Sequence, residues 1–281
     1  MKQVNCILCN SKASKLLFRK NNLNIVKCPK CGLVYVNPRL SGSQLKELYN
    51  TNKISPMQYY LQNELEDAIN FEKRLKVIGQ YAKKGSLLDI GCNIGTFMQV
   101  AESQGWKTTG IDINRSAVIY AKKKGLNVFS SAIEHAKLKK SYFDVIMMND
   151  VVEHLENPVE VLEKIKAWLK KDGILFIATP NIGSMIAKIS GKNWLHVKPD
   201  EHIYYFSKKT ISLLLGKAGF STAKIMPLGR IRTADVILEK AKTYTALPYS
   251  MIKQLGLMPL MRKVKFSINL HDEIGIIARK R

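Results

Sequence analysis

The stretch LLDIGCNIGTF, residues 87 to 97, constrains the fold more than any other. An apolar run climbs to an acid, Asp89, a turn holding Gly91 and Gly95 follows, and an amphipathic pattern starts at Thr96. A strand that enters a tight turn and leaves as a helix satisfies all three parts, because glycine accepts backbone conformations that other residues resist. The alternation then continues. SLLDIG, KTTGIDI, LNVFSSA, YFDVIMMND, ILFIATPN, STAKIMPL and EIGIIARK read as seven strands. TFMQVAESQG, SAVIYAKKKG, PVEVLEKIKAWLKKDG and KKTISLLLGKAG read as helices between them. Such alternation gives a mostly parallel sheet covered on both faces. The predicted class is therefore α/β: a doubly wound, Rossmann-like, seven-stranded sheet in residues 85–281, with a small N-terminal domain. The segment 230–270 interrupts the series before the last strand and reads as a helical insertion.

Two regions precede the sheet. Residues 41–84 read as a helical connector or lid, since SGSQLKELY opens on cap-type residues and NELEDAINFEKRLKVIGQYAKK carries apolar positions at three- and four-residue steps. Residues 1–40 hold four of the five cysteines as two pairs, Cys6 with Cys9 and Cys28 with Cys31, eighteen residues apart. Each C-x-x-C turn aims two thiolates at one point, and two turns complete a closed tetrahedral site. A module with so little apolar mass takes its folding energy from the ion. The expected ion is Zn2+, and rubredoxin-type iron is the alternative. Cys92, inside the glycine turn, reads as a small residue beside a ligand and not as a nucleophile.

Ligands of doubly wound sheets bind at the carboxyl ends of the strands, where the strand order reverses. The second strand ends in Asp112, 17 positions past Gly95, where an acid accepts hydrogen bonds from ribose hydroxyls. A dinucleotide turn would read GxGxxG; here the glycines are spaced GxxxG, two residues after Asp89. The loop LLDIGCNIG resembles motif I of class I S-adenosylmethionine-dependent methyltransferases. That family usually has a third glycine where this chain has Asn93, and asparagine tolerates the left-handed conformation better than other non-glycine residues. GIDINRSAVIYAKKKG, SSAIEH, FDVIMMNDVVEHLENP and KDGILFIATPN continue the resemblance in order over about half the chain, 85–225. It implies that Asp89, Gly91, Cys92, Asn93 and Gly95 hold the methionine and ribose of the cofactor, with Asp112 and Ile113 at the ribose. Ala132 and Ile133 would neighbour the adenine, and Asn149 the methionine part.

For the chemistry, EHxxYFS at Glu201–His202 looks like the EH motif of sugar methyltransferases, whose histidine is the general base. By that match Glu201 would orient His202. The sugar C-methyltransferases carry a tyrosine where this chain has Pro199, and a large C-terminal domain that it is too short to hold. Glu153 and His154, in NDVVEHLENP, are the second candidates, and Tyr59, Tyr60 and Trp194 are candidate walls of the acceptor pocket. The cysteine module ahead of the core resembles zinc-bearing methyltransferases of nucleotide-linked sugars and polysaccharide or natural-product precursors.

The formal charge of +23 favours acidic partners. Two acceptor classes follow. One is a small molecule, a nucleotide- or lipid-linked sugar or related precursor. The other is rRNA or tRNA, which suits the charge, but strand four ends in NDVV and not in the NPPY-type loop used for exocyclic amines. The segment TYTALPYSMIKQLGLMPLMRKVKF could form an amphipathic surface helix for peripheral membrane contact. No apolar run approaches the roughly 20 residues of a membrane span, and the N-terminus lacks a signal-peptide core, so a cytoplasmic location is expected.

Overall fold

The computed structural model describes residues 1–40, 57–241, 251, 253–255, 257–261 and 264–281. The connector's first part, 41–56, and half of the proposed membrane-contact segment lie outside the described residues.

A small antiparallel sheet opens the chain: β1 (Lys15–Lys20), β2 (Leu23–Lys27) and β3 (Val34–Val36). Two helices follow, α1 (Met57–Gln62) and α2 (Glu64–Ile78), the second with Glu64, Glu66 and Asp67 in its first turn. Acids there oppose the positive end of the helix dipole. The alternating part then runs β4 (Ser86–Ile90), α3 (Thr96–Ser103), β5 (Lys107–Asp112), α4 (Arg115–Lys123), β6 (Val128–Ser130) and β7 (Phe143–Asn149). A 3₁₀ turn at Val152–His154 leads into α5 (Pro158–Trp168) and β8 (Leu169–Pro180). After α6 (Met185–Ser190) come β9 (Tyr204–Tyr205), α7 (Lys208–Lys217) and β10 (Phe220–Pro227). The chain finishes with β11 (Arg230–Thr233), α8 (Ala234–Ala241), a short helix at Met258–Met261, β12 (Lys265–Ile268) and β13 (Glu273–Lys280).

The main sheet has seven strands in the order β10-β13-β8-β7-β4-β5-β6. β6, β5, β4, β7 and β8 are mutually parallel, and β13 runs antiparallel between β8 and β10. The chain leaves β4 for β5 on one side and reaches β7 on the other, so the order reverses at β4. The sheet is apolar on both faces. Leu87, Val145, Met147 and Phe176 pack under α2 and α3, whereas Leu88, Ile146, Met148 and Leu175 pack under α5 and α7. Each such fully buried side chain contributes about 1.5–3 kcal/mol.

Two helical expectations fail locally. The helix expected to reach Gly173 stops at Trp168, because Leu169 turns extended and pairs with Phe143 at the start of β7. The segment 230–270 is not helical throughout: Arg230–Thr233 and Lys265–Ile268 form a two-stranded antiparallel ribbon around α8. The alternation in RIRT is a strand pattern that its helical surroundings disguised.

The cysteine-bearing sheet is not a separate bead. Its fourth strand is β9, from the far end of the chain, paired with β3 as Val34–Tyr205 and Tyr35–Tyr204. Cys6, Val26, Cys28, Leu33 and Tyr35 share one apolar cluster with the main sheet's Ile146 and Leu175 and with Ile211 of α7.

Candidate active site

The first β–α turn is built as its sequence demands. Gly91 and Gly95 sit at φ 78° and 81°, and Asn93 takes the left-handed conformation at φ 47°. A Cβ on Gly91 would lie 2.5 Å from Val151 Cγ2, and one on Gly95 2.2 Å from Leu126 Cδ1, so both positions exclude a side chain twice over. Asp112, at the end of β5, ties the turn down: its Oδ2 accepts from the Asn93 amide at 2.8 Å and its Oδ1 from the Asn114 amide at 2.7 Å. An ionised carboxylate has about four acceptor sites, so capacity remains for a ligand. Asp89 lies beneath, 2% exposed. Burial, and then the charge of Asp112, push its pKa up to about 8. The pKa of Asp112 is raised by burial too, against the pull of the two amides. The sulfur of Cys92 turns into an apolar cluster with Met98, Val118, Ala121, Leu126 and Val128. Burial and the neighbouring acids raise its pKa, so it is a poor nucleophile.

A cavity of about 920 Å³ opens over this turn. Asp89, Gly91, Cys92, Asn93, Asp112, Ile113, Ala132, Ile133 and Asn149 all border it; Gly95, one residue further, sits behind in the turn. The sequence thus named most of one wall. The opposite wall is formed by Tyr59, Tyr60, Asp67, Asn70, Phe71 and Arg74 from the helices, Asp150 and His154 from the end of β7, and Arg230 and Arg232 from the β11 ribbon. Tyr59 and Tyr60 stand where a pocket wall was expected. Trp194 does not: it is 1% exposed in a core with Val34, Val36 and Val197.

The arginines of that wall escaped sequence reading. Glu273 binds Arg74 at 2.7 Å and also Arg230, which reaches Asp150 at 3.2 Å, while Arg232 binds Asp67 at 2.9 Å. Burial works against the Glu273 carboxylate, but Arg230 and Arg74 outweigh it and hold its pKa at about 2. The partners lie 43 to 199 positions apart in the chain, and only the alternation of RIRT hinted at them.

The two EH pairs meet. His154 and His202 stack edge to face with ring centroids 4.7 Å apart. His154 borders the cavity, and His202, 7% exposed, sits behind it. The expected geometry of a base at His202 oriented by Glu201 is therefore corrected. The Glu201 carboxylate faces Lys198 at 3.5 Å, whereas its main-chain carbonyl accepts from His154 Nδ1 at 2.9 Å. His202 is held instead by the His196 carbonyl, 2.9 Å from its Nδ1. Burial takes both rings toward the neutral form, His154 down to about 4. Glu153 is 1% exposed; Thr179 donates to its Oε2 at 3.0 Å.

The four paired cysteines converge. Their sulfurs all lie within 4.8 Å of one another, with Cys6–Cys31 at 3.4 Å and Cys9–Cys28 at 3.5 Å, and none forms a disulfide. Both turns close alike, Asn10 N–H on the Cys6 carbonyl at 2.8 Å and Gly32 N–H on the Cys28 carbonyl at 2.9 Å, and both end on left-handed residues. Burial pushes the Cys28 thiol up, but the amides of Cys31 and Lys30 outweigh it and bring it to about 7. Four clustered soft donors fit a tetrahedral thiophilic ion.

Residues 57–225, more than half of the chain, match the model of a methyltransferase domain family. The chain belongs to that family. The methyltransferase is 30% identical over 192 residues to the ubiquinone biosynthesis O-methyltransferase of Pelagibacter ubique, covering 61% of this chain and 78% of the relative. It is 33% identical over 117 residues to that of Glaesserella parasuis, 38% of this chain and about half (49%) of the relative. In fold it is similar to Burkholderia thailandensis 1,6-didemethyltoxoflavin-N1-methyltransferase, solved with S-adenosylhomocysteine, at TM-score 0.57 and 12% identity over 95% of this chain and 99% of the other. An Archaeoglobus fulgidus SAM-dependent methyltransferase superposes at TM-score 0.54 and 24% identity over 79% of this chain and 99% of the other. The protein is a class I S-adenosylmethionine-dependent methyltransferase. Among the described residues no helix is long and apolar enough to cross a membrane.

Proposed function

We propose that this methyltransferase moves the methyl group of S-adenosylmethionine to a hydroxyl of a small molecule, a sugar or related precursor of polysaccharide or natural-product synthesis. The supporting observation is the charge of the cavity. Its lining holds the carboxylates of Asp67, Asp112, Glu134, Asp150 and Glu156 and the largely protonated Asp89 against four arginines, Arg74, Arg115, Arg230 and Arg232. In a chain of net charge +23, this lining is not basic. That suits a cationic sulfonium beside a polar acceptor and disfavours a phosphate backbone, which needs basic neighbours. The volume lies within the range of cofactor and small-ligand pockets. The named activity of the ubiquinone relatives supports oxygen as the accepting atom.

In this reading Asp112 takes the ribose, Ala132 and Ile133 flank the adenine, and Asn149 meets the methionine end. Asn149 Oδ1 is buried without a partner, an acceptor available to an ammonium group. The acceptor lies against Asp150, His154 and Tyr59. Proximity of its oxygen to the methyl group supplies much of the rate. Cys6, Cys9, Cys28 and Cys31 hold Zn2+, a structural ion that fixes β3 and through it β9. The test is transfer of a labelled methyl group from S-adenosylmethionine to a panel of nucleotide-linked sugars, lipid-linked sugars and phenols, with rRNA and tRNA in parallel. Label in a small-molecule hydroxyl is the expected result. Label in RNA alone would overturn the reading.

A further inference from the structure

Behind the cavity, Glu153, His154 and His202 bring one candidate ligand atom each within 4.8 Å of one another. What those atoms are follows from their partners. Each Nδ1 faces a main-chain carbonyl at 2.9 Å, Glu201 for His154 and His196 for His202. A carbonyl only accepts, so each Nδ1 carries the proton and each Nε2 keeps a lone pair. Glu153 spends Oε2 on Thr179, while its Oε1 is buried with no hydrogen-bond partner. Two imidazole lone pairs and a carboxyl oxygen without a hydrogen-bond partner thus belong to three groups that lie close together in a buried place. An unpartnered buried carboxylate oxygen is costly, and its occurrence beside two imidazole lone pairs calls for a positive occupant.

We propose that Glu153, His154 and His202 form a second metal site, for a divalent first-row transition ion, separate from the four cysteines. Two imidazoles and a carboxylate suit such an ion and leave coordination positions open. Histidine ligands commonly donate their other N–H to a main-chain carbonyl, the arrangement both rings show. The amide of Ile203 bonds the Glu153 carbonyl at 3.0 Å, so the two ligand-bearing segments are stitched together without the ion. His154 borders the cavity, so an ion held by it would stand beside the acceptor's part of the pocket. The role of the ion rests on the reading of the pocket as an O-methyltransferase site. A hydroxyl that ligates the ion is more acidic and loses its proton to water. Its oxygen then bonds to the methyl carbon as the sulfur–carbon bond breaks, and the sulfur leaves as a neutral thioether.

The test is titration of the metal-stripped full-length protein with Co2+ alone, whose first equivalent refills the four cysteines and so restores the sheet that holds the His202 segment. Ions on the four cysteines give intense thiolate charge-transfer bands; an ion on two imidazoles and a carboxylate gives weak visible bands only. The expected result is a second equivalent of bound Co2+ that adds no thiolate bands to those of the first. Glu153→Gln and His202→Gln should each weaken it by at least the roughly 10- to 100-fold that loss of an outer partner costs, with the thiolate bands unchanged. If all bound Co2+ in the wild-type protein shows thiolate bands, the proposal fails and a shared proton holds the three acceptors. It fails also if the second ion survives both substitutions. The wild-type result decides alone, so a variant that does not fold cannot shelter the proposal. The titration contains neither S-adenosylmethionine nor acceptor, so a wrong acceptor class would leave its outcome unchanged.

Discussion

The two walls of the cavity are made differently. The cofactor wall comes almost entirely from one run of chain, Asp89 to His135, and its contacts are backbone amides, two left-handed glycines and the carboxylates that close on them. The opposite wall draws on residues 59–74, 149–156 and 230–232, joined by buried ion pairs around Glu273. A wall built from local turns keeps its shape as long as the strands beneath it stand. A wall assembled from distant elements depends on everything that brings those elements together.

Removing the proposed zinc from the four cysteines should separate the walls most sharply. Structural zinc contributes on the order of 10 kcal/mol or more to the folding of small modules. Chelation should dissolve the β1–β3 sheet and, because Val36 N–H bonds the Ile203 carbonyl at 3.0 Å, release the segment that carries His202. Methyl transfer should be lost while S-adenosylmethionine still binds, read by activity and calorimetry on one sample. Loss of both together would mean that the walls are one unit.

Glu273→Gln should come next, about 3–5 kcal/mol of stability by denaturant melts, since it leaves Arg74 and Arg230 buried beside a neutral group. The ionised Glu273 has its pKa at about 2 against an ordinary 4.5. Its stabilisation is therefore complete above the ordinary value and fades as pH falls from there toward 2. The wild-type protein should lose stability over that window, and the variant should lose less.

Asp112→Ala attacks the other wall. It should weaken S-adenosylmethionine by about 1.5–3 kcal/mol, the worth of hydrogen bonds to a charged group. The smallest effect expected is proton release. Asp89, with its pKa near 8 in the free protein, is largely protonated at pH 7. A cationic ligand beside it should favour the charged form and expel a fraction of a proton. Calorimetry in buffers of different ionisation enthalpy reads that fraction directly, and its absence would put the sulfonium and ammonium groups away from Asp89.

The division between the walls is also the division in what the sequence could tell. The strand–turn–helix unit at LLDIGCNIGTF, the acid ending β5, the seven strands and the paired cysteines are all written in neighbouring residues, because each is decided by φ, by burial period or by the reach of a four-residue turn. Asn93 in the left-handed region is such a case. The tertiary structure alone decided that His154 and not His202 borders the cavity, that Glu201 acts through its carbonyl, and that Arg74, Arg230 and Arg232 complete the pocket. It decided also that the cysteine sheet takes its last strand from residues 204–205. In each case the partners lie far apart in the chain. Their meeting depends on how sheets and helices pack, and no local spacing encodes it.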